Sequence, residues 1–148
     1  MLNLADATKI VTLLGGPKIL QLKATSSPLA WVVAIRKGFP IAALDSLRQN
    51  IGATNSELTQ ALGTSVRSLA ARRHKGVLTP SESERLLRLA KVIVRAESVF
   101  DDVDNGLAWL REPNISLGGV APISLLDTEL GSELVTDVLG RIEYGICA

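Results

Sequence analysis

Apolar residues follow the period of an α-helix along most of this chain. After Pro80 they recur every three or four positions and form one stripe: Leu86, Leu89, Ala90, Ile93, Ala96 and Phe100. Residues with this spacing share one face of a helix. The strict alternation typical of a half-buried strand is not found, and clusters of Val, Ile and Thr are short. The pattern predicts an all-α fold.

Local signals place the ends of the first helices. An amphipathic segment extends from about Leu4 to Leu14 and is expected to stop at Gly15-Gly16-Pro17. Pro28 and Pro40 occupy positions suited to the first turn of a helix, where the missing amide hydrogen is tolerated. Gly38 can end the helix that begins at Pro28.

Capping boxes mark two later helix starts. Thr54 with Glu57, and Thr79 with Glu82, have the spacing in which a hydroxyl and a carboxylate each accept from the other residue's amide. Beyond Asp101 the chain predicts a short helix around Leu107–Leu110, a single turn at Pro122 and a final helix after Thr128. In that last helix one face is apolar (Leu134, Val135, Val138, Leu139, Ile142) and the other is polar (Glu129, Glu133, Asp137, Glu143, Tyr144).

The segment 54–75 has the pattern of a helix-turn-helix. Two short helices can form between Asn55 and Arg73, joined at Gly63, with inner faces supplied by Leu58, Leu62, Val66 and Leu69. Glycine suits the tight turn because it enters left-handed backbone conformations without a steric penalty. Thr59 and Arg72 depart from the motif, which usually has alanine and an apolar residue at these positions.

The second helix of this motif is the candidate DNA reader. Its N-terminal part would present side chains to base edges, and its C-terminal cations would meet phosphates. The predicted DNA-binding residues are Thr64, Ser65, Arg67, Ser68, Arg72, Arg73 and Lys75. Alternatively, the cations around His74 only complement the helix dipole. One helix-turn-helix covers few base pairs, so operator binding implies a homodimer or a higher homo-oligomer.

Charge is divided unequally along the chain. Residues 1–100 contain 14 Lys/Arg and 6 Asp/Glu, a net charge of +8, whereas residues 101–148 contain 2 and 9, a net charge of −7. A basic half attracts phosphates and an acidic half can steer a basic protein toward it. Alternatively, the two halves neutralise each other. A basic stripe (Arg85, Arg88, Lys91, Arg95) is interpreted as a solvated helix face that could extend a phosphate-contacting surface.

The last third of the chain contains an ordered set of residues. It consists of Trp109-Leu110, Pro113-Asn114, Leu117-Gly118-Gly119, Pro122, Leu125-Leu126, Thr128, Gly131 and Arg141-Ile142-Glu143-Tyr144-Gly145. This set resembles the toxin-binding domain of the Xre/MbcA/ParS antitoxin family. The basic helix-turn-helix upstream is the other half of that family's plan, so the resemblance covers roughly residues 40 to 145.

The resemblance implies a bacterial antitoxin with two partners. Residues 1–100 would form a helical DNA-binding domain that represses the operon encoding the toxin–antitoxin pair. Residues 101–148 would form a small helical domain that binds a RES-domain toxin, an enzyme that destroys cellular NAD. In related antitoxins the chain end lies over or inside the toxin's active-site cleft. Carried onto this chain, the toxin-binding residues are Asn114, Arg141, Glu143, Tyr144, Gly145, Ile146, Cys147 and Ala148.

Composition argues against most other functions. The chain has one His and one Cys and no recognisable zinc, Walker or dinucleotide motif, so we expect no catalysis, metal or cofactor. No apolar run approaches the roughly 20 residues that span a bilayer, and no signal peptide is recognised, so a soluble cytoplasmic protein is expected. Two alternatives remain: a helix-turn-helix transcription regulator whose C-terminal domain senses a small molecule, and a protein-interaction module that has lost DNA binding.

Overall fold

The structure, a computed structural model, describes residues 3–145. These residues form nine α-helices: α1 (Leu4–Leu13), α2 (Pro17–Leu20), α3 (Pro28–Lys37), α4 (Ile41–Ile51), α5 (Asn55–Leu62), α6 (Val66–Lys75), α7 (Pro80–Phe100), α8 (Val103–Arg111) and α9 (Glu129–Glu143). Two 3₁₀ turns, Ile115–Leu117 and Pro122–Leu125, lie between α8 and α9. Over this range there is no strand, only two isolated bridges, so the predicted all-α fold is confirmed. None of the described helices is long and apolar enough to cross a membrane.

The longest helix, α7, organises the molecule. It packs against α1, α3, α5, α8 and α9. Its predicted apolar stripe is confirmed from Leu86 to Ala96, where every member is buried. The last member, Phe100, is half-buried and stacks at a tilt against Trp109, with ring centroids 5.9 Å apart.

One apolar core extends through both halves of the chain. It begins with Ile10 on α1, passes through α4, α5 and α7, and reaches Leu139 on α9. Side chains of α7 supply its middle section, so this helix belongs to the core of both halves. Hydrophobic burial of this kind, non-directional and proportional to area, is the main stabilising term of the fold.

Most predicted helix ends are confirmed. Pro28 opens α3, Thr128 caps α9, and Gly38 ends α3. The Thr79–Glu82 capping box is complete: the Glu82 amide donates to the Thr79 hydroxyl at 3.1 Å, and the Thr79 amide donates to the Glu82 carboxylate at 2.9 Å. These devices are local, because each partner lies within one helical turn.

The Thr54–Glu57 capping box is only half formed. The Thr54 hydroxyl accepts from the Glu57 amide at 3.1 Å, as predicted. The Glu57 carboxylate instead accepts two hydrogen bonds from Arg111 on α8, at 3.0 and 2.8 Å. The prediction that Glu57 reaches back to Thr54 is therefore wrong, since a two-point guanidinium pair is stronger than a bond to a neutral amide. The same Arg111 donates to the Ile51 carbonyl at 2.8 Å, which ties α8 to the α4–α5 region.

Three further details differ from the predictions. The short helix α2 follows Gly16, where only a stop was expected. Helix α8 begins four residues earlier than predicted because Asp102 caps it by accepting from the Asn105 amide at 3.0 Å. Leu134, predicted on the inner face of α9, is 46% exposed, and Gly131 takes the inner position.

Candidate functional site

The turn of the helix-turn-helix forms as the sequence predicts. Gly63 ends α5 in the left-handed conformation, with φ +61°. Ser65 is the N-cap of α6, its hydroxyl accepting from the Ser68 amide at 3.1 Å. The departure at Thr59 is accommodated, because this buried residue donates its hydroxyl to the Ser56 carbonyl at 3.0 Å.

The outward face of α6 is formed mainly by small and apolar side chains around one arginine. Leu69 is buried, but Val66, predicted on the inner face, is 61% exposed. The exposed residues that share this face are Val66, Arg67, Ala70, Ala71 and His74. Helical spacing could have identified Val66, Ala70 and His74, since they lie four residues apart. Such a face suits a DNA groove, where valine and alanine can contact thymine methyl groups and arginine can contact guanine.

Arg72, predicted to contact phosphate, points toward α7. Its Nε donates to the Glu82 carboxylate at 2.9 Å, and Glu82 is nearly buried. Burial raises the pKa of Glu82, but hydrogen bonds from the Thr79 amide and from Arg72 outweigh it, so this pKa lies below its ordinary value. The ion pair explains why the chain has arginine at a position that usually holds an apolar residue: a buried carboxylate needs a charged partner.

Arg73 is also paired within the molecule. Its two terminal nitrogens donate to the two oxygens of Asp45 on α4, at 2.9 and 2.8 Å. The bond to Asp45 raises the Arg73 pKa above its ordinary value. Both side chains are partly exposed, so the guanidinium lies near the surface but its charge is largely offset. Asp45 therefore weakens the phosphate contact expected of Arg73.

The other predicted DNA-binding residues divide into two groups. Thr64 is half-buried and Ser68 is engaged by Ser65, their hydroxyl oxygens 3.0 Å apart. Arg67 and Lys75 are exposed, and neither forms an ion pair within residues 3–145. The candidate nucleic-acid surface is thus the exposed face of α6, with Arg67 and Lys75 as its available cations.

The basic stripe on α7 is not a solvated face. Arg85 donates to the Leu62 carbonyl at 3.0 Å, and Arg88 donates to the Leu126 carbonyl at 3.3 Å. Arg95 donates to both oxygens of Glu143 at 2.7 and 2.9 Å. The interpretation as a solvated or phosphate-contacting stripe is wrong for these three arginines, since they join α7 to neighbouring elements. The two halves thus contact each other partly through opposite charges.

Asn114 has a structural role in the loop before α9. Its side chain accepts from the Ser116 amide at 2.9 Å and caps the first 3₁₀ turn. Its main chain pairs with Val120, which closes the loop through Gly118 and Gly119. The loop leaves the Ile115 side chain 96% exposed.

The end of α9 holds the other predicted site residues. Glu143 is engaged by Arg95, a bond that lowers the pKa of Glu143 and raises that of Arg95. Arg141, Tyr144 and Gly145 are exposed, Tyr144 to 78%. The predicted residues Ile146, Cys147 and Ala148 lie outside the described residues. Glu143 therefore fixes the helix end, and Arg141 and Tyr144 are its available polar groups.

Known protein families match this chain in both of its halves. Residues 30–91 match the antitoxin Xre-like helix-turn-helix domain, and residues 95–145 match the antitoxin Xre/MbcA/ParS C-terminal toxin-binding domain. The chain is 38% identical over 117 residues to an antitoxin Xre of Yersinia enterocolitica, covering 78% of this chain and 79% of that protein. It is 33% identical over 114 residues to an antitoxin Xre of Photorhabdus laumondii, covering 76% and 77%.

A third relative has a different name. The chain is 39% identical over 80 residues to a Prs ADP-ribosylating antitoxin of a Sphingobium species, covering 48% of this chain and 50% of that protein. The two Xre relatives match most of both chains, and the two domain matches account for α3 to α9. The chain therefore belongs to the Xre antitoxin family, with a helix-turn-helix domain followed by a C-terminal toxin-binding domain.

Proposed function

We propose that this protein neutralises a RES-domain, NAD-degrading toxin by laying the end of α9 and the following residues over the toxin's active-site cleft. The observation that carries this proposal is the construction of the helix end. Arg95 holds Glu143 through two hydrogen bonds, which fixes the last turn, while Arg141 and Tyr144 remain exposed beside it. A fixed helix end with exposed polar side chains loses little conformational freedom on binding.

Exposed apolar side chains on α9 and on the loop before it would supply further binding area. The first 3₁₀ turn packs against α9, and both elements leave apolar side chains exposed: Ile115, Val120, Leu130 and Leu134. Leu130 and Leu134 lie one turn apart, so they share a face. Exposed apolar residues grouped on one surface commonly mark a protein interface. This group lies within the region matched by the toxin-binding domain, which makes the toxin its proposed occupant.

Inhibition of the purified toxin tests the proposal. The probe is the RES-type product of the reading frame adjacent to this gene, assayed for NAD loss with increasing antitoxin. Arg141→Glu and Tyr144→Ala should each weaken inhibition about tenfold or more, because interface hot spots are enriched in arginine and tyrosine. Thr136→Ala, an exposed change about two turns before the helix end, is the matched control and should inhibit normally.

A chain lacking residues 146–148 completes the test. If residues 146–148 help to cover the active-site cleft, this shortened chain should bind the toxin but inhibit it less. Full inhibition by this chain and by both point variants would refute occlusion by the helix end. Failure of the wild-type protein to bind the adjacent gene product would refute the choice of toxin.

The Sphingobium relative's name supports a second candidate for the toxin's chemistry. That name refers to ADP-ribosylation, in which NAD donates an ADP-ribosyl group to a protein. The second candidate is thus a toxin that transfers the ADP-ribosyl group to a protein rather than releasing it to water. Labelled NAD distinguishes the two reactions: hydrolysis leaves the label in small molecules, and transfer leaves it on protein.

We further propose that a homodimer of this protein binds operator DNA through α6 and represses its own operon in the bacterial cytoplasm. The exposed face around Arg67 supports direct base contact, and Lys75 supports phosphate contact. Arg67→Ala should weaken operator binding about tenfold and relax specificity, whereas Lys91→Ala, an exposed cation on α7, serves as the control. Equal binding by both variants in a gel shift at two salt concentrations would exclude α6 as the reader.

A further inference from the structure

A pocket lies between α1, α3 and α7, and its volume is about 310 Å³. Sites that bind small molecules have volumes of roughly 300–1,000 Å³ and are mostly apolar, with a few polar groups. This pocket is at the small end of that range. Its lining is mostly apolar and includes Ala7, Pro28, Trp31, Val32, Ile35 and Leu87.

Helix α3 holds the aromatic wall of the pocket in place. Trp31 is half-buried, packs against the apolar core and meets Phe39 edge-on, with ring centroids 6.5 Å apart. The opposite side of α3 faces away from the pocket and leaves Leu29 67% exposed. A wall that is fixed before binding lowers the entropy lost when a ligand enters.

The polar groups that line the pocket are two hydrogen-bond donors. The Ser26 hydroxyl oxygen accepts from the Lys23 amide at 2.8 Å, and its O–H donates to no group within residues 3–145. Lys91 on α7 is exposed; it also borders a groove lined by Glu133 and Asp137, yet it forms no ion pair within the described residues. Among these residues, no Asp or Glu lines the pocket itself. An ammonium and a hydroxyl proton both call for an acceptor, and the ammonium favours a negatively charged one.

We propose that this pocket binds a small monocarboxylate with an apolar body, such as a medium-chain aliphatic acid. The carboxylate accepts hydrogen bonds from Lys91 and Ser26, and the apolar body lies against Trp31 and Ile35. Charge-assisted hydrogen bonds are stronger than neutral ones, and burial of the apolar body adds a contribution proportional to its area. A cationic ligand would be repelled by Lys91, and a wholly polar one would gain nothing from the apolar walls.

The pocket is separate from both surfaces proposed above for macromolecules. Its lining comes from α1, α3, α7 and the segment between α2 and α3, whereas the candidate DNA surface is on α6 and the proposed toxin contact is on α9. A ligand in the pocket joins α1 and α3 to α7, the helix at the centre of the core. The inference therefore does not depend on the proposed toxin or operator binding.

Titration of octanoate into the full-length protein tests the pocket. The chain has two tryptophans, so Trp109→Phe leaves Trp31 as the sole tryptophan reporter, and circular dichroism checks that its helix content is kept. Octanoate should change the Trp31 emission saturably. It should also raise the melting temperature of the wild type, because a ligand of the folded form stabilises that form. The matched probes 1-octanol and octylamine, which have the same tail, should each bind at least about fivefold more weakly.

Reversal of the charge at the pocket tests the choice of a carboxylate. Lys91→Glu should weaken octanoate binding about tenfold or more and make octylamine the better ligand, because it replaces attraction by repulsion. Lys18→Glu, at an exposed cation on α2 outside the pocket, is the control and should bind octanoate as the wild type does.

Three results would overturn the inference. The first is an octanoate titration that changes neither the Trp31 emission nor the melting temperature. The second is equal binding of 1-octanol and octanoate, or undiminished octanoate binding by a folded Lys91→Glu. The third is a Trp31 emission that changes with protein concentration but not with octanoate, which would assign the pocket to a second copy of the chain.

Discussion

At the scale of single residues, arginine side chains join separate elements of the structure, and this pairing reduces the number of cations available to contact DNA. Arg72, Arg73, Arg95 and Arg111 each pair with one carboxylate at 2.9 Å or less. A planar guanidinium can give two parallel hydrogen bonds to a carboxylate, which fixes orientation as well as distance. Of the cations predicted to contact DNA, Arg67 and Lys75 remain available. The pair with Asp45 determines how much Arg73 contributes to DNA binding.

Asp45→Asn should strengthen DNA binding. The change removes an acidic group beside α6 and leaves the Arg73 guanidinium one neutral acceptor in place of two charged oxygens. If Arg73 then contacts a phosphate, the slope of log affinity against log salt should steepen by about one. The pair is partly exposed, so its loss should lower stability by less than about 1 kcal/mol. The double variant with Arg73→Ala should lose the gain; an unchanged slope in the single variant would show that Arg73 stays away from DNA.

Glu82 should make stability depend on acid pH. Its folded-state pKa lies below the ordinary value of 4.5, so its stabilising effect is complete above that pH and is lost as pH falls through the folded pKa. Glu82→Gln should lower the unfolding free energy at pH 7 by about 1–3 kcal/mol, since it leaves Arg72 without its charged partner.

Urea unfolding between pH 7 and pH 3 measures this effect. The difference in unfolding free energy between the wild type and Glu82→Gln should become smaller as the pH drops below about 4.5. Glu84→Gln on the same helix, where the carboxylate is 58% exposed and pairs with Arg88, should cost less than about 0.5 kcal/mol. A gap that stays constant with pH would show that the Glu82 charge does not stabilise the fold.

At the scale of elements, close packing at Gly131 positions α9, the helix that we propose to contact the toxin. A Cβ at this residue would collide with the Leu125 carbonyl and lie 2.9 Å from the Thr128 hydroxyl. The glycine thus lets α9 approach the second 3₁₀ turn. The helix that carries Arg141 and ends at Tyr144 is therefore oriented by a residue without a side chain.

Gly131→Ala should destabilise the protein by about 1–3 kcal/mol, as an overpacked position does. Intrinsic helix propensity alone would predict the opposite sign, since alanine is favoured over glycine by about 1 kcal/mol. Gly140→Ala is the control on the same helix, because its added Cβ would meet no atom within 4 Å outside the neighbouring backbone of α9, and it should be neutral or stabilising. Chemical denaturation measures the free energy of unfolding of each variant. If Gly131→Ala and Gly140→Ala change this free energy in the same direction, the packing argument is refuted.

At the scale of the whole molecule, the two halves share one core and are joined by polar contacts. Arg111 binds Glu57 and the Ile51 carbonyl across this boundary, and Arg88 and Arg95 bind the loop and helix that follow α8. Both proposed binding surfaces are therefore supported by the same core around α7. A substitution at one surface can affect the other only through the residues of this shared core.

Thermal unfolding should accordingly be a single cooperative transition. Far-UV and near-UV signals should change together at a fixed protein concentration, as expected when both halves unfold at once. Arg111→Met should lower the midpoint by several degrees, corresponding to about 1–3 kcal/mol, and keep the transition single. Two resolved transitions in the wild type would show instead that residues 1–100 and 101–148 unfold independently.

The sequence by itself determined the all-α class, most helix ends and the turn of the helix-turn-helix. These features depend on groups within a few residues of each other, such as Thr79 with Glu82 or Gly63 between two helices. Their free energies are set by local backbone geometry, so periodicity and capping residues are sufficient to recognise them. Family resemblance added the two partners.

Only the tertiary structure decided which of the candidate residues are available. Glu57 pairs with Arg111, 54 residues away, and Arg95 pairs with Glu143, 48 residues away. No local pattern predicts such pairs, because any cation on a helix face can be solvated or paired. The exposed side of α3 and the outward turn of Leu134 were likewise set by packing, since a helical period gives the width of an apolar face but not what covers it.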